Sequence, residues 1–275
     1  MIGSLLRRSG VLVLLWLLAC ACRPAATSVP PSPTVTPVAS QPPRVGELVP
    51  LWTFQTRGAI WGTPAVSDGT VYVGSDDGNL YAVDSRSGSL QWKFATQGII
   101  RSRPAVVGNL VYIASDDGNA YAVDVRDGTP VWSTEIGNRE SREEREHLEA
   151  SGKPTGFDIW QSSPVVANGQ VFVGSLDGNV YALAADTGAI LWTFKTGDKI
   201  RATLAVASGT VFVGSWDKAL YALDAATGSL RWKSMLGGQV QTTALFADGV
   251  VYCASRKASV VAVDARNGEF VWEYD

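Results

Sequence analysis

Short apolar runs alternate with glycine-containing turns along most of this chain, and the alternation returns at a regular interval. Tryptophans stand at positions 52, 92, 132, 192, 232 and 272, so every interval is 40 residues except one of 60. A period of about 40 residues is typical of repeated small sheets, in a propeller or a solenoid. Five matching runs align on these tryptophans: TVYVGSDDGNLYAVD (70–84), LVYIASDDGNAYAVD (110–124), QVFVGSLDGNVYALA (170–184), TVFVGSWDKALYALD (210–224) and VVYCASRKASVVAVD (250–264).

Each repeat contains the pattern of four short strands. A PAV-type segment leads through a two-residue turn into a nearly all-apolar strand, which is typical of a strand covered on both faces. An LYAVD-type strand and the tryptophan strand follow. The two-residue turns favour the positive φ angles of tight hairpins. They are Asp68-Gly69, Gly108-Asn109, Asn168-Gly169, Ser208-Gly209 and Asp248-Gly249.

This pattern predicts an all-β fold, a β-propeller of about five four-stranded blades. One strand, Trp52 to Thr56, precedes the five repeats and is surplus to them. The chain is therefore either a small ring with an extra outer strand or an incomplete ring of a larger propeller.

The DDGN motif between the second and third strands has two interpretations. Asp77-Gly78 and its counterparts at Asp117 and Asp177 suit a type I′ hairpin turn. Calcium prefers six to eight oxygen ligands from a longer loop, and the fourth and fifth repeats lose carboxylates here. A structural turn is therefore the favoured interpretation, and no metal site is predicted. The alternative is a weak surface cation held by Asp76, Asp77, Asp116 and Asp117.

The closing motif D-x-x-x-G-x-x-x-W resembles the repeat of the pyrroloquinoline-quinone-like (PQQ-like) β-propeller family, over residues 52 to 275. The resemblance implies that each tryptophan docks on the neighbouring blade. The third repeat departs from the motif, because Ala184 replaces the aspartate. The motif residues are Asp84, Gly88, Trp92, Asp124, Gly128, Trp132, Gly188, Trp192, Asp224, Gly228, Trp232, Asp264, Gly268 and Trp272.

This family includes both enzymes and non-enzymatic bacterial lipoproteins, among them a scaffold of outer-membrane protein assembly. The resemblance implies for the enzymes a vicinal disulfide, a calcium site and a catalytic aspartate. This chain has no adjacent cysteine pair, and its one histidine, His147, lies in a charged insertion. The sequence therefore favours a non-catalytic scaffold or sensor without PQQ or calcium. A PQQ-dependent oxidoreductase or a small-anion-binding protein is the alternative.

The N-terminal 50 residues have a different composition. Two arginines precede the apolar run 11–19, which is too short for a comfortable membrane span and is typical of a secretory signal. The sequence LLAC, ending at Cys20, resembles a bacterial lipobox, which implies lipidation of the Cys20 thiol. Cys22 is a weaker candidate for lipidation, and a plain secretion signal is the alternative.

The domain organisation follows from these segments. Residues 23–50 hold eight of the thirteen prolines, and such a segment favours extended polyproline conformations. We predict a signal peptide at 1–19, a lipidated cysteine with a disordered stalk at 20–50, and the propeller at 51–275. The protein would then lie outside the cytoplasm, anchored by lipid to the bacterial cell membrane or outer membrane.

A candidate binding site lies three residues before each PAV position. In a propeller, these residues ring one mouth of the central channel, where two arginines could attract a carboxylate or phosphate. They are Trp61, Arg101, Gln161, Arg201 and Gln241. A polar channel lining without a ligand is the alternative interpretation.

Two further features belong to the same face. The insertion at 138–158 predicts a short charged helix from about 141 to 150, a recognition element or a solvated decoration. The turns between the second and third strands are acidic in the first two repeats and basic in the last two, which could orient a partner. Envelope or membrane proteins are the expected partners, whereas the net charge of −3 disfavours nucleic acid.

Lipidation is tested by replacing each candidate cysteine. We expect Cys20→Ser to abolish incorporation of labelled palmitate and to release the protein from membranes, because the acylated thiol is removed. Cys22→Ser is the matched control and should remain labelled. Equal labelling of both variants would contradict the assignment of Cys20.

Overall fold

The computed structural model describes residues 35–37, 50–137, 162–257 and 259–274. All of them belong to one structural unit, residues 33–275. Cys20, Cys22, Gln161 and the insertion with its predicted helix lie outside the described residues. Within the described ranges all regular structure is β, so the predicted fold class is confirmed.

Five four-stranded antiparallel sheets, blades 1 to 5, follow one another in chain order. In each blade the strands are hydrogen-bonded in sequence order. The strands are β3 (Ala65–Ser67), β4 (Thr70–Gly74), β5 (Asn79–Asp84) and β6 (Leu90–Ala95) in blade 1, β7 (Ala105–Val107), β8 (Leu110–Ala114), β9 (Asn119–Asp124) and β10 (Pro130–Glu135) in blade 2, β11 (Val165–Ala167), β12 (Gln170–Gly174), β13 (Asn179–Ala184) and β14 (Ile190–Lys195) in blade 3, β15 (Ala205–Ala207), β16 (Thr210–Gly214), β17 (Ala219–Asp224) and β18 (Leu230–Met235) in blade 4, and β19 (Leu245–Ala247), β20 (Val250–Ala254), β21 (Val260–Asp264) and β22 (Phe270–Tyr274) in blade 5.

Two strands precede the blades. β2 (Trp52–Phe54) is the surplus strand of the sequence, and β1 (Val35–Pro37) pairs with it in antiparallel register. β1 belongs to the segment 20–50 that the sequence predicts as a disordered stalk, and residues 35–37 are the part of 20–49 that the structure describes. An extended proline-rich segment is compatible with an edge strand, where a missing N–H is tolerated.

The two kinds of turn differ in geometry. Both residues of Asp68-Gly69 have positive φ, as a two-residue hairpin turn requires, and three of its four counterparts repeat this. The DDGN turn is different. The Gly78 N–H donates to the Ser75 carbonyl, and only the glycine has positive φ. The predicted type I′ turn is therefore wrong here, because the chain uses a longer turn that ends in a left-handed glycine.

The blades pack face to face, and each tryptophan reaches the next blade. The Trp92 indole N–H donates to the Val125 carbonyl at 2.8 Å, and its ring lies against Gly128, whose φ is 75°. A Cβ on that glycine would lie 2.7 Å from the ring. The same contact recurs at four other junctions: Trp52 to Ser85, Trp132 to Ala185, Trp192 to Ala225 and Trp232 to Ala265.

The aspartate of the closing motif shapes the turn that presents this glycine. The Asp84 carboxylate accepts hydrogen bonds from the Arg86 and Ser87 backbone N–H groups. In blade 3, Ala184 lacks this acceptor, yet its carbonyl still accepts from the Gly188 N–H at 2.8 Å. The departure in the third repeat therefore removes a side-chain cap but not the turn.

The two ends of the blade series differ. Trp52 docks on blade 1 as the other tryptophans dock on theirs, so the surplus strand covers that face. In blade 5, Trp272 is 45% exposed, whereas Trp92, Trp132, Trp192 and Trp232 are 8–9% exposed. The described blades are therefore those of a partial propeller.

The glycine contact gives a matched stability test. Gly128→Ala should destabilise the fold by roughly 1–3 kcal/mol beyond the backbone strain alone, because a methyl group collides with the Trp92 ring. Gly169→Ala is the control, since its φ of 74° matches the 75° of Gly128 and it has no heavy atom within 4 Å of the added Cβ. Urea unfolding of both variants measures the difference. Equal losses would contradict the docking contact.

Candidate binding site on the loop face

One face of the blade series carries the segments that lead into each innermost strand together with the turns between second and third strands. We call it the loop face. Antiparallel order places the remaining turns, which include Arg86 and Arg266, on the opposite face.

The segments that connect successive blades are held from both sides. In the connection from blade 1 to blade 2, the Ile100 N–H donates to the Ser75 carbonyl of blade 1, and the Gln97 N–H donates to Asp117 of blade 2. The Ile100 side chain also fills the space beside Gly74, where a Cβ would lie 2.4 Å from it. Side chains on these connections therefore stand on a fixed backbone.

A cavity of about 630 Å³ opens among these connections. Four of the five predicted mouth residues line it, and Gln161 lies outside the described residues. The lining also includes positions two residues further along, which the sequence analysis did not select. The described lining is Trp61, Gly62, Thr63, Arg101, Arg103, Ser163, Arg201, Thr203, Gln241, Thr242 and Thr243.

The lining residues two positions after the predicted mouth residues could have been predicted from the sequence spacing. In an extended chain, residues i and i+2 lie on the same side. Arg101 and Arg103 have this relation, as do Arg201 and Thr203. The predicted mouth positions therefore implied a second ring two residues on.

Arg101 is already neutralised by a carboxylate. Its Nε lies 2.9 Å from Asp76 Oδ1, and its Nη2 lies 2.9 Å from Asp76 Oδ2. The Trp61 indole N–H also donates to Asp76 Oδ2 at 3.1 Å. Both oxygens of Asp76 are therefore engaged, which makes this residue unsuitable as a cation ligand and reduces the attraction of Arg101 for an anion.

Arg201 has a different environment. It is 4% exposed, and its guanidinium carbon lies 4.2 Å from the centroid of the Trp216 ring, a cation–π contact. Trp216 stands at the turn position that Asp76 occupies in blade 1. Arg101 and Arg201 hold equivalent positions in their repeats but are stabilised in different ways.

Hydroxyl groups connect three blades along the lining. The Arg103 N–H donates to Ser163 Oγ at 2.9 Å, and the Ser163 N–H donates to Thr203 Oγ1 at 3.2 Å. Each hydroxyl thus serves as an acceptor for a backbone donor. A hydroxyl group retains its own O–H donor in such a bond, so Ser163 and Thr203 can also donate to a ligand.

The second aspartate of the DDGN-type turns has a structural partner. The Tyr81 hydroxyl donates to Asp77 at 2.6 Å, and the Arg57 N–H donates to the same carboxylate at 3.0 Å. Burial raises the pKa of Asp77, but these hydrogen bonds and those from Asn79 outweigh it and hold the pKa below its ordinary value. The equivalent pairs are Tyr121 with Asp117, Tyr181 with Asp177 and Tyr221 with Asp217.

These pairs change the expected charge pattern of the loop face. Asp77 and Asp117 serve the internal structure, and Asp76 pairs with Arg101. In blades 4 and 5, Lys218, Arg256 and Lys257 are exposed at the same turns. Lys257 lies 3.3 Å from Glu273, a pair that remains half exposed. The outward-directed charge of the described turns is therefore mainly basic.

Metal and thiol chemistry find little support in the described ranges. No group of three or more histidine, cysteine, aspartate or glutamate side chains there could hold a metal ion. The cavity lining contains no carboxylate, so it does not fit Ca²⁺, which prefers several oxygen ligands. Burial raises the pKa of the Cys253 thiol to about 12, so this thiol stays protonated at neutral pH. His147 lies outside the described residues.

Among the residues that the structure describes, no helix has the length and apolar character needed to cross a membrane. Cys20 and the apolar run that precedes it are not among those residues.

Solved structures of similar fold include a BamB protein, a designed protein and an enzyme. BamB from Moraxella catarrhalis matches with a TM-score of 0.69 and 21% identity, over 84% of this chain and 69% of that one. The computationally designed Ika8 protein matches with a TM-score of 0.66 and 17% identity, over 80% and 62%. Quinohemoprotein alcohol dehydrogenase from Comamonas testosteroni matches with a TM-score of 0.64 and 18% identity, over 79% of this chain and 43% of that one. At these identities the matches establish the propeller fold alone.

Comparison with families gives a more specific result. No curated protein matches the chain significantly. The family model described as outer membrane protein assembly factor BamB matches residues 46–179 and 176–275, nearly the whole propeller. This agrees with the PQQ-like repeat predicted from the closing motif. The chain therefore belongs to the BamB-type family of PQQ-like β-propellers.

Proposed function

We propose that this protein is a non-catalytic scaffold that docks another envelope protein on its loop face. The observation that carries the proposal is the cavity on that face, which is built on rigid connections and lined by hydrogen-bond donors. Family membership supports it, since the matching family is described as an assembly factor. In this proposal the protein works outside the cytoplasm, and Cys20 anchors it to a membrane by lipid.

The surface of the loop face suits a protein partner. Loops on a rigid β scaffold commonly carry binding residues, because the scaffold tolerates changes in them. Here the lining residues lie outside the tryptophan contacts that join the blades, so those contacts do not depend on them. The insertion 138–158, which stands in sequence between blades 2 and 3, would add to the docking surface.

The alternative function is catalysis of the quinoprotein type. The described cavity has no carboxylate to serve as a calcium ligand or as a general base. Cys253, the one cysteine in the described ranges, is buried and has no adjacent cysteine in the sequence. The residue chemistry of the site therefore favours binding over oxidation.

Site-specific photo-crosslinking in cells tests the docking face. A photoreactive amino acid at Arg256 should give adducts with a discrete envelope protein, because this position is exposed on the loop face of blade 5. The matched control is Arg266, an exposed arginine of the same blade on the opposite face. Adducts at position 266 alone, or none at either position, would contradict the proposal.

A dye-reduction assay tests the alternative. We expect no reduction of an electron-accepting dye when the purified full-length protein is supplied with PQQ, Ca²⁺ and a panel of alcohols, because the described cavity lacks a catalytic carboxylate. A characterised PQQ-dependent alcohol dehydrogenase is the positive control. Dye reduction that depends on both PQQ and this protein would overturn the non-catalytic assignment.

A further inference from the structure

We propose that the loop-face cavity binds the carboxylates of a short acidic peptide segment. This inference rests on the proposed function, because the segment would belong to the docked protein. It is more specific than that function, since it names the chemistry that the cavity selects.

The charged side chains that line the cavity are all basic. Three arginines and no aspartate or glutamate contribute to it. Arg101 is engaged with Asp76, but Arg103 is exposed at the cavity. A guanidinium group binds a carboxylate through charge-assisted, often bidentate hydrogen bonds. The permanent charge of Arg103 therefore favours a carboxylate ligand at any physiological pH.

The neutral groups of the lining reinforce this preference. Ser163 and Thr203 accept backbone N–H donors, so what they offer a ligand is an O–H donor. Thr63 and Thr243 add further hydroxyls to the lining, whereas the Thr242 hydroxyl donates to the Ala254 carbonyl. A cavity with many donors and a fixed positive charge is complementary to a ligand with several acceptor oxygens.

Basic side chains around the cavity favour a ligand that carries several carboxylates. Lys218, Arg256 and Lys257 are exposed at turns of the same face. The chain as a whole carries a net charge of −3, so this basic character is local. On the opposite face, Asp127 and Asp186 are exposed at the turns between third and fourth strands, while Asp124 and Asp264 are paired with Arg126 and Arg266. An acidic segment would approach the loop face in preference to the opposite one.

The size of the cavity favours a peptide over a single anion. A volume of about 630 Å³ far exceeds the space of one carboxylate group and lies in the ordinary range for ligand sites. The lining donors come from all five blades, from Thr63 in blade 1 to Thr243 in blade 5. A segment with several carboxylates can contact donors of more than one blade at once.

Fluorescence anisotropy with the full-length protein tests this inference. The probe is a fluorescein-labelled hexapeptide, Gly-Asp-Glu-Asp-Glu-Gly, and the control probe has Asn and Gln in place of Asp and Glu. We expect saturable binding of the acidic probe, at least about tenfold tighter than the amide control, since charged hydrogen bonds are stronger than neutral ones. The affinity should fall as salt is raised.

Two charge-reversal variants locate the site. Arg103→Glu should weaken binding by about tenfold or more, because it removes a charged donor and introduces repulsion. The Arg103 backbone N–H bond to Ser163 does not depend on the side chain, so the fold should persist. Arg86→Glu makes the same change of charge on the opposite face and should alter the affinity less than twofold. Arg103→Lys should restore most of the binding.

Four results would overturn the inference. Equal loss in Arg103→Glu and Arg86→Glu would indicate attraction by overall charge alone. Equal affinity for the amide control would remove the role of carboxylates, and tighter binding of free citrate than of the peptide would show a small-anion site. Crosslinks at Arg256 that persist in a protein without acidic-peptide affinity would refute this inference and leave the docking function intact.

Discussion

The contact between each tryptophan and the glycine turn of the next blade is the interaction on which the rest of the structure depends. It combines a buried indole hydrogen bond of 2.8–3.0 Å with aromatic packing on a residue that has no side chain. Aromatic side chains bury roughly 150–250 Å², and about 25 cal/mol per Å² makes each contact worth about 4–6 kcal/mol as an upper estimate. Because the contact joins consecutive blades, it sets their order and spacing.

The contact also explains why one long interval is tolerated. The donor and acceptor are 33 residues apart at four junctions and 53 apart at the junction of blades 2 and 3, yet the bond there is 2.9 Å. The 20 additional residues fall in sequence between the last strand of blade 2 and the first strand of blade 3, outside the docking elements. Longer loops cost little additional closure entropy, so the fold tolerates such an insertion.

In this fold, the residues that hold the blades together are separate from those that line the mouth, so one scaffold can serve different functions. The tryptophan and glycine of each repeat, and the aspartate of the four repeats that have it, lie between the blades or on the opposite face, whereas the cavity is lined by residues of the connections. Solved structures that share the fold include BamB and quinohemoprotein alcohol dehydrogenases. Function therefore depends on which side chains occupy the mouth. In this chain they are arginines and hydroxyls, which suit binding of an anionic group.

The sequence by itself determined the repeat, the strands and the docking residues, because these follow from a period of 40 residues and from local propensities. The spacing also placed Trp61, Arg101, Arg201 and Gln241 at one mouth. Only the tertiary structure showed that Asp76 neutralises Arg101 and that Trp216 covers Arg201. Both partners stand in turns between second and third strands, and the sequence spacing does not indicate which arginine each of them contacts. The DDGN turn was also set by contacts that turn propensity does not encode. The Asp77 carboxylate accepts hydrogen bonds from the Tyr81 hydroxyl and from the Arg57 backbone N–H.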